Sequence, residues 1–337
     1  MLGVSKCLTR AAAIILGQTG QDSWKSVSGQ PTQQPGDPSG PFTIIAAAQP
    51  SKGRVFALSN NAFDDLDVMA YPRNVDLFLS GLAWVSAGAN QAAPPPALTA
   101  ASVSSVVNGA SFAGAISPGS WVTIKGQNLS TAPASGQLWA ASDFNGNSLP
   151  IKLDGTSVWI NGRPAAVEFV SPNQVNVQTP DDTYSGTALV QVITPAGLAT
   201  GTANLQSIAP ALFTVASGGS TYAAAVGLDG VLIGPPNQIP GARAAKSGET
   251  LQLYGTGFGA TNPPQPSGQL INVAPVSNTV SATVCAQPAT VSFAGLVSPG
   301  LDQINVTLPT MPTGNCPVQV VVGGVSTQSG VLIPIGQ

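Results

Sequence analysis

Histidine is missing altogether from the 337 residues, which removes Ser-His-Asp and Cys-His catalysis, imidazole metal ligation and the usual titrating switch near neutral pH. Formal charge is scarce as well. The 11 basic and 14 acidic side chains make 7% of positions, against roughly a quarter in ordinary globular chains. The cations are scattered from Lys6 to Lys246 and the net charge is -3, so no basic stripe can neutralise a phosphate backbone, and nucleic acid is not an expected partner. No apolar run reaches about 18 residues, so no transmembrane helix is expected.

What the chain has in abundance is 38 glycines and 30 prolines together with 43% hydrophobic residues. That apolar content argues against disorder. Short apolar runs punctuated by Gly and Pro suit an all-β sandwich, in which every strand end needs a turn residue and no long helix fits between prolines. The length suggests two or three such units.

Comparison of the chain with itself reveals a repeat. Gly119 to Leu129 (GSWVTIKGQNL) matches Gly248 to Phe258 (GETLQLYGTGF), each a period-2 strand closed by glycine. Val158 to Pro180 likewise matches Ala282 to Pro309, with Gln174, Asn176 and Pro180 facing Gln303, Asn305 and Pro309. Two β units are therefore expected in tandem, at 98–208 and 209–337. About seven strands in the first fit an immunoglobulin-like sandwich. Alternation assigns Val122, Ile124, Val158, Ile160, Val167, Phe169, Val175, Val177, Leu189 and Val192 to its interior. The second interior is expected from Leu251, Leu253, Val284, Val291, Phe293, Ile304, Val306, Val318 and Val320.

Residues 1–97 read differently. Ala11 to Gly17, Phe42 to Ala48 and Arg54 to Ser59 look like buried strands, and Asn74 to Ala87 places Val75, Phe78, Leu79, Leu82 and Val85 at helical spacing, with Asn74 as N-cap and Gly88 as stop. The expectation is an α/β segment followed by a semi-rigid linker, Gln91 to Pro96. The fold class expected for the whole chain is thus mainly β: two tandem immunoglobulin-like β-sandwiches preceded by a small, incomplete α/β segment.

On the residues Val106 to Ser130, VWINGRPAAVEFVSPNQVNVQTP, Ile208 to Thr214, Leu251 to Pro264 and DQINVTLP, the two β units resemble IPT/TIG-like, immunoglobulin-like domains, in the tandem C-terminal module of uncharacterised secreted acidobacterial proteins. That resemblance implies a sandwich fold and export, and it carries no catalytic residues. The N-terminal cues ILGQTGQDSW, GPFTIIAAA, GRVFALSNNAFDD and NVDLFLSGLAW are similar to the closing half of glutamine-amidotransferase-like α/β domains of gliding-motility-type transport proteins. The front half of such a domain, a nucleophilic Cys–His pair and any His are missing, so this segment is read as a remnant competent at most for packing or binding.

Candidate sites are few. Cys7 stands alone, whereas Cys285 and Cys316 share one β unit, and in an oxidising compartment a disulfide between them is expected, worth on the order of 3 to 4 kcal/mol. Cys316 is in phase with Val318, but Cys285 is out of phase with Val284, so the bond requires a twist or bulge at that strand end. GTGFGA at Gly255 to Ala260 is followed by TNPPQPSG, which cannot open a phosphate-binding helix, so its glycines are assigned to a sharp turn after the strand, like Gly126. Asp64, Asp65 and Asp67, and Asp181 with Asp182, read as solvated turn aspartates and not as a calcium site. With Glu168 and Glu249 the only glutamates, nothing points one carboxylate at another as a glycosidase needs.

The binding candidates are Trp121, Trp139 and Trp159, since aromatic faces stack on sugars and anchor protein partners. Trp121 and Trp159 are expected to point outward, with Thr250 and Thr283 at the corresponding positions of the second unit, and to lie on opposite sheets without forming one platform. No cofactor and no metal is expected. Lys6 and Arg10 precede only a short apolar stretch, too short for a signal peptide, and the resemblance, which treats that stretch as a strand, implies an export signal lost by truncation. The function these readings imply is a non-catalytic, exported structural or interaction module for spacing, surface display or adhesion, acting on a protein or glycan at the cell surface. The alternative is a carbohydrate-binding accessory module. The expected location is extracellular or in the cell envelope.

Overall fold

The computed structural model describes residues 101–336, together with three strands and helical positions 81 and 85 of the preceding segment. The chain divides into two compact units, residues 1–97 and 98–337. In the first, β1 (Ala13–Gln18), β2 (Thr43–Ala48) and β3 (Val55–Leu58) form an antiparallel sheet in the order β1-β2-β3. These are the three apolar runs expected as strands. Gly81 packs so closely on Phe56 that a Cβ there would lie 2.5 Å from its ring. Cys7, the turn at Asp64, Asp65 and Asp67, Asn74 and the Gln91 to Pro96 linker lie outside the described residues.

The second unit holds two β-sandwiches. The first is built from β4 (Ser102–Asn108), β5 (Ala115–Ile116), β6 (Trp121–Gln127), β7 (Gln137–Leu138), β8 (Lys152–Leu153), β9 (Thr156–Ile160), β10 (Arg163–Ser171), β11 (Gln174–Gln178), β12 (Gly186–Thr194) and β13 (Gly197–Leu205). One layer runs β4-β6-β11-β10 and the other β9-β12-β13-β5. Strand β10 serves both: Arg163 to Ala165 pair with β9, and Ala166 to Ser171 pair with β11. Their inward residues, among them Val122, Ile124, Val158, Ile160, Val167, Val175, Val177, Val190 and Val192, make one core.

Two expected core residues are not in it. Leu189 is 48% exposed, because β12 buries Ala188, Val190 and Val192 and therefore turns Leu189 outward. Phe169 is half-buried, because the ladder between β10 and β11 shifts register between Val167 and Phe169. That bulge sets two residues, Glu168 and Phe169, against Asn176 and reverses the phase of alternation. The same shift falls between Val291 and Phe293 in the second sandwich, opposite Asn305, and Phe293 is likewise outside the tightly buried set.

The second sandwich contains β14 (Ala211–Leu212), β15 (Thr214–Ser217), β16 (Ser220–Ala223), β17 (Ala225–Gly227), β18 (Thr250–Thr256), β19 (Ala274–Pro275), β20 (Val280–Val284), β21 (Gln287–Ser298), β22 (Leu301–Thr307), β23 (Gly314–Val322), β24 (Val325–Ser326) and β25 (Val331–Ile335). Its core gathers Leu251, Leu253, Val284, Ile304, Val306, Val318 and Val320, with Val291 packed against it. Strand β21 again serves both layers, pairing with β20 and then with β22.

Cys285 and Cys316 are joined by a disulfide with Cα atoms 4.8 Å apart. The phase conflict resolves in the β20–β21 hairpin. Cys285 and Ala286 both have positive φ (49° and 60°), so Cys285 occupies the corner of a two-residue turn and escapes strand alternation. The glycines after the second strands need a different account from the one expected for Gly126. Gly126 and Gly255 lie within β6 and β18, where a Cβ would meet Ser102 O at 1.9 Å and Ala211 O at 2.6 Å. They permit close approach of a neighbouring strand, whereas Gly257 (φ 82°) makes the turn.

Candidate binding cleft between the two sandwiches

The β21–β22 hairpin of the second sandwich ends in Pro299-Gly300, and this corner rests on Trp121 of the first. Gly300 has φ 66°, which favours glycine, and a Cβ there would come within 2.7 Å of Trp121 Nε1. The Trp121 amide donates to Thr256 Oγ1 (2.9 Å), and that hydroxyl donates to Gly300 O (2.7 Å). Further along the junction, Asp181 accepts from the Ser267 amide and hydroxyl, the Gly268 amide donates to Gln178 Oε1 (2.8 Å), and Asn108 Nδ2 donates to Ala209 O (3.0 Å).

Asp181 and Asp182 are accordingly not simply solvated. Asp181 ties the sandwiches together. Asp182 accepts from Asn161 Nδ2 (2.7 Å) and the Tyr184 amide (3.0 Å), with Arg163 3.7 Å away. These bonds, the one from Asn161 foremost, hold its carboxyl below the usual carboxylate range.

Beside the Trp121–Gly300 contact lies a cleft of about 290 Å³. Trp121, Trp139, Glu168 and Asn176 line it from the first sandwich, and Phe213, Ser298 and Pro299 from the second. Trp121 and Trp139 meet edge to face with centroids 5.8 Å apart and planes at 66°, and Phe144 backs Trp139 at 5.2 Å. Trp139 reaches this position because β7 pairs with the bulged part of β10 and its amide donates to Glu168 O (2.9 Å). Glu168 sits on the bulge that directs it outward. Burial raises its carboxyl above the ordinary value, against the opposing effect of a hydrogen bond with the Asn176 side chain. Asn176 Oδ1 accepts from Thr123 Oγ1 (3.2 Å) and Gln174 Nε2 (2.9 Å).

Trp121 and Trp139 therefore come together. Trp159 does not join them: it lies on β9, in the other layer, in register with Pro164 and Gln191. The separation of Trp121 from Trp159 follows from strand order, but sequence reasoning missed the arrival of Trp139 and the role of Glu168. The signal for Glu168 was its correspondence to Ser292, a position at which the second sandwich needs no carboxylate.

Glu249 is held by Arg243 and the Lys246 amide (2.8 Å), away from the lining of this cleft. Among the described residues, no group of three or more His, Cys, Asp and Glu side chains is arranged to hold a metal ion, and no helix is long and apolar enough to cross a membrane.

Comparison with solved structures finds weak, partial likenesses. SGBP-B of a mixed-linkage glucan utilization locus of Bacteroides ovatus, in complex with a mixed-linkage heptasaccharide, is 13% identical, with a TM-score of 0.27 over 66% of this chain and 43% of that one. The surface glycan-binding protein PbSGBP-B from Prevotella bryantii is 13% identical, with a TM-score of 0.20 over 68% of this chain and 41% of that one. The plexin A4 extracellular region is 11% identical, with a TM-score of 0.25 over 74% of this chain and 20% of that one. The chain thus spans less than half the length of each. No curated protein matches the sequence. One family description does match, over the first sandwich: residues 105–208 fit the IPT/TIG domain.

Proposed function

We propose that this chain is a non-catalytic interaction module of an exported protein, with a partner at the cell surface engaging the cleft between its sandwiches. The observation that carries this reading is the Trp121–Trp139 pair at the cleft. The fold requires neither Trp121 nor the carboxylate beside it, since Thr250 and Ser292 of the second sandwich stand where Trp121 and Glu168 stand in the first. Spacing or surface display suits two sandwiches fastened by several hydrogen bonds, with limits at 98–208 and 209–337. The segment 1–97 is read as amidotransferase-like and as contributing packing or binding.

A second reading, a carbohydrate-binding accessory module, is favoured by the same tryptophans and by half-buried Trp159 beside Pro164 and Gln191 on a sheet face. The test of export is fractionation of the source cells, with thiol titration and intact-mass analysis of the recovered chain. Recovery from the extracellular or envelope fraction with Cys285 and Cys316 oxidised supports the reading. Recovery from the cytosol with free thiols overturns it.

A further inference from the structure

The lining of the cleft has an unbalanced chemistry. It presents three aromatic residues, Trp121, Trp139 and Phe213, and one carboxylate, Glu168, while none of the described residues lining it is Lys or Arg. A half-buried carboxylate is ordinarily compensated by a cation or by several donors. Here Asn176 is the side-chain donor identified for Glu168, and the Asn176 oxygen is already taken by Thr123 and Gln174. Burial raises the Glu168 carboxyl, as expected where water has been removed without a countercharge.

Shape narrows the ligand further. Two indoles meeting at 66° form a corner, not a flat platform. The volume of about 290 Å³ is at the lower edge of the roughly 300–1,000 Å³ of small-molecule sites, which suits a side chain or small headgroup better than a polysaccharide strand. Aromatic faces attract a cation through their quadrupole, within about 6 Å of a ring centroid. An anionic ligand would meet Glu168 with no countercharge in the lining.

We propose that the cleft receives an alkylammonium group, seated among Trp121, Trp139 and Phe213 and paired with the Glu168 carboxylate. This inference rests on the cleft being the module's binding site and names the chemistry that site selects. The group is a lysine side chain or a quaternary ammonium of the partner.

The test is titration of the full 337-residue chain with Nα-acetyl-lysine methylamide, its neutral norleucine analogue, choline and cellohexaose, followed by tryptophan fluorescence and calorimetry. Saturable binding of the lysine compound or choline, with the norleucine compound inactive, is expected. Response to lysine alone identifies a side chain, and response to choline alone a quaternary headgroup. Glu168→Gln should weaken binding about tenfold, the scale of one charge-assisted contact. Trp139→Ala should weaken it as well, with Trp139→Phe retaining part and the thermal midpoint verifying folding. Norleucine binding as tightly as lysine, an unchanged Glu168→Gln, or no response to either ammonium overturns the inference. Cellohexaose binding that is lost in Trp139→Ala, without ammonium binding, overturns the ligand class and leaves the cleft standing. Ammonium binding unchanged in both Trp139→Ala and Trp121→Ala overturns the cleft itself.

Discussion

Cys285 stands at the same hairpin corner of the second sandwich as Asn161 does in the first. Asn161-Gly162 link β9 to β10 and Cys285-Ala286 link β20 to β21, and all four residues have positive φ. Asn-Gly is the preferred pair for such a turn, whereas Cys-Ala is not. In the second sandwich, the disulfide to Cys316 and the bond from the Cys285 amide to Pro317 O (2.8 Å) hold the disfavoured corner.

Removing the disulfide should therefore expose the cost of the turn. Cys285→Ser with Cys316→Ser is expected to lose about 3 to 4 kcal/mol in urea unfolding, the scale of a loop closed over some 30 residues. Placing Asn at 285 and Gly at 286 in a Cys316→Ser background should return roughly 1 kcal/mol by relieving the backbone strain.

The buried carboxylate of Asp302 makes a second prediction. It is 3% exposed and accepts from the Phe258 amide at 3.1 Å, and burial pushes its pKa from 3.8 up to about 7. A raised folded-state value means that its contribution is fully present below the unfolded pKa and is lost as pH rises through the folded one. Relative to wild type, Asp302→Asn should gain stability between about pH 4 and pH 7, approaching on the order of 4 kcal/mol. Asp154, Asp182 and Glu249 have lowered values and act with the opposite sign in both proteins, so the difference in denaturation midpoints isolates Asp302.

At the junction, Gly300→Ala should drive a methyl into Trp121 Nε1 and strain a positive-φ backbone. A loss of about 1 to 3 kcal/mol is expected, together with a changed tryptophan emission spectrum. Gly330→Ala, also at positive φ (79°) but with open space around the added methyl, is the control: it should lose stability without altering that spectrum.

Strand identity was legible because alternation and glycine punctuation are local: Val122, Ile124, Leu251 and Leu253 fall in the cores as their period demands. Leu189 was misplaced because apolar residues occupy both phases of its strand, and Phe169 because one extra residue at a bulge inverts the phase beyond it. The pairing of Trp121 with Trp139 depends on a short strand, β7, that carries almost no periodic signal. The cleft was not legible, since it is made by a hairpin corner of one sandwich meeting the sheet of the other. The glycan candidates Trp121 and Trp159 were separated correctly, yet only strand order supported that distinction.

The cleft itself is tested most directly from the side of the second sandwich. Ser298 is exposed at its rim, and Ser298→Trp fills the space without altering Trp121, Trp139 or Glu168. Sedimentation of the full chain with envelopes isolated from the source cells should be lost in Ser298→Trp and Trp139→Ala, and kept in Trp159→Ala. Equal sedimentation of all three with the unaltered chain would contradict the account.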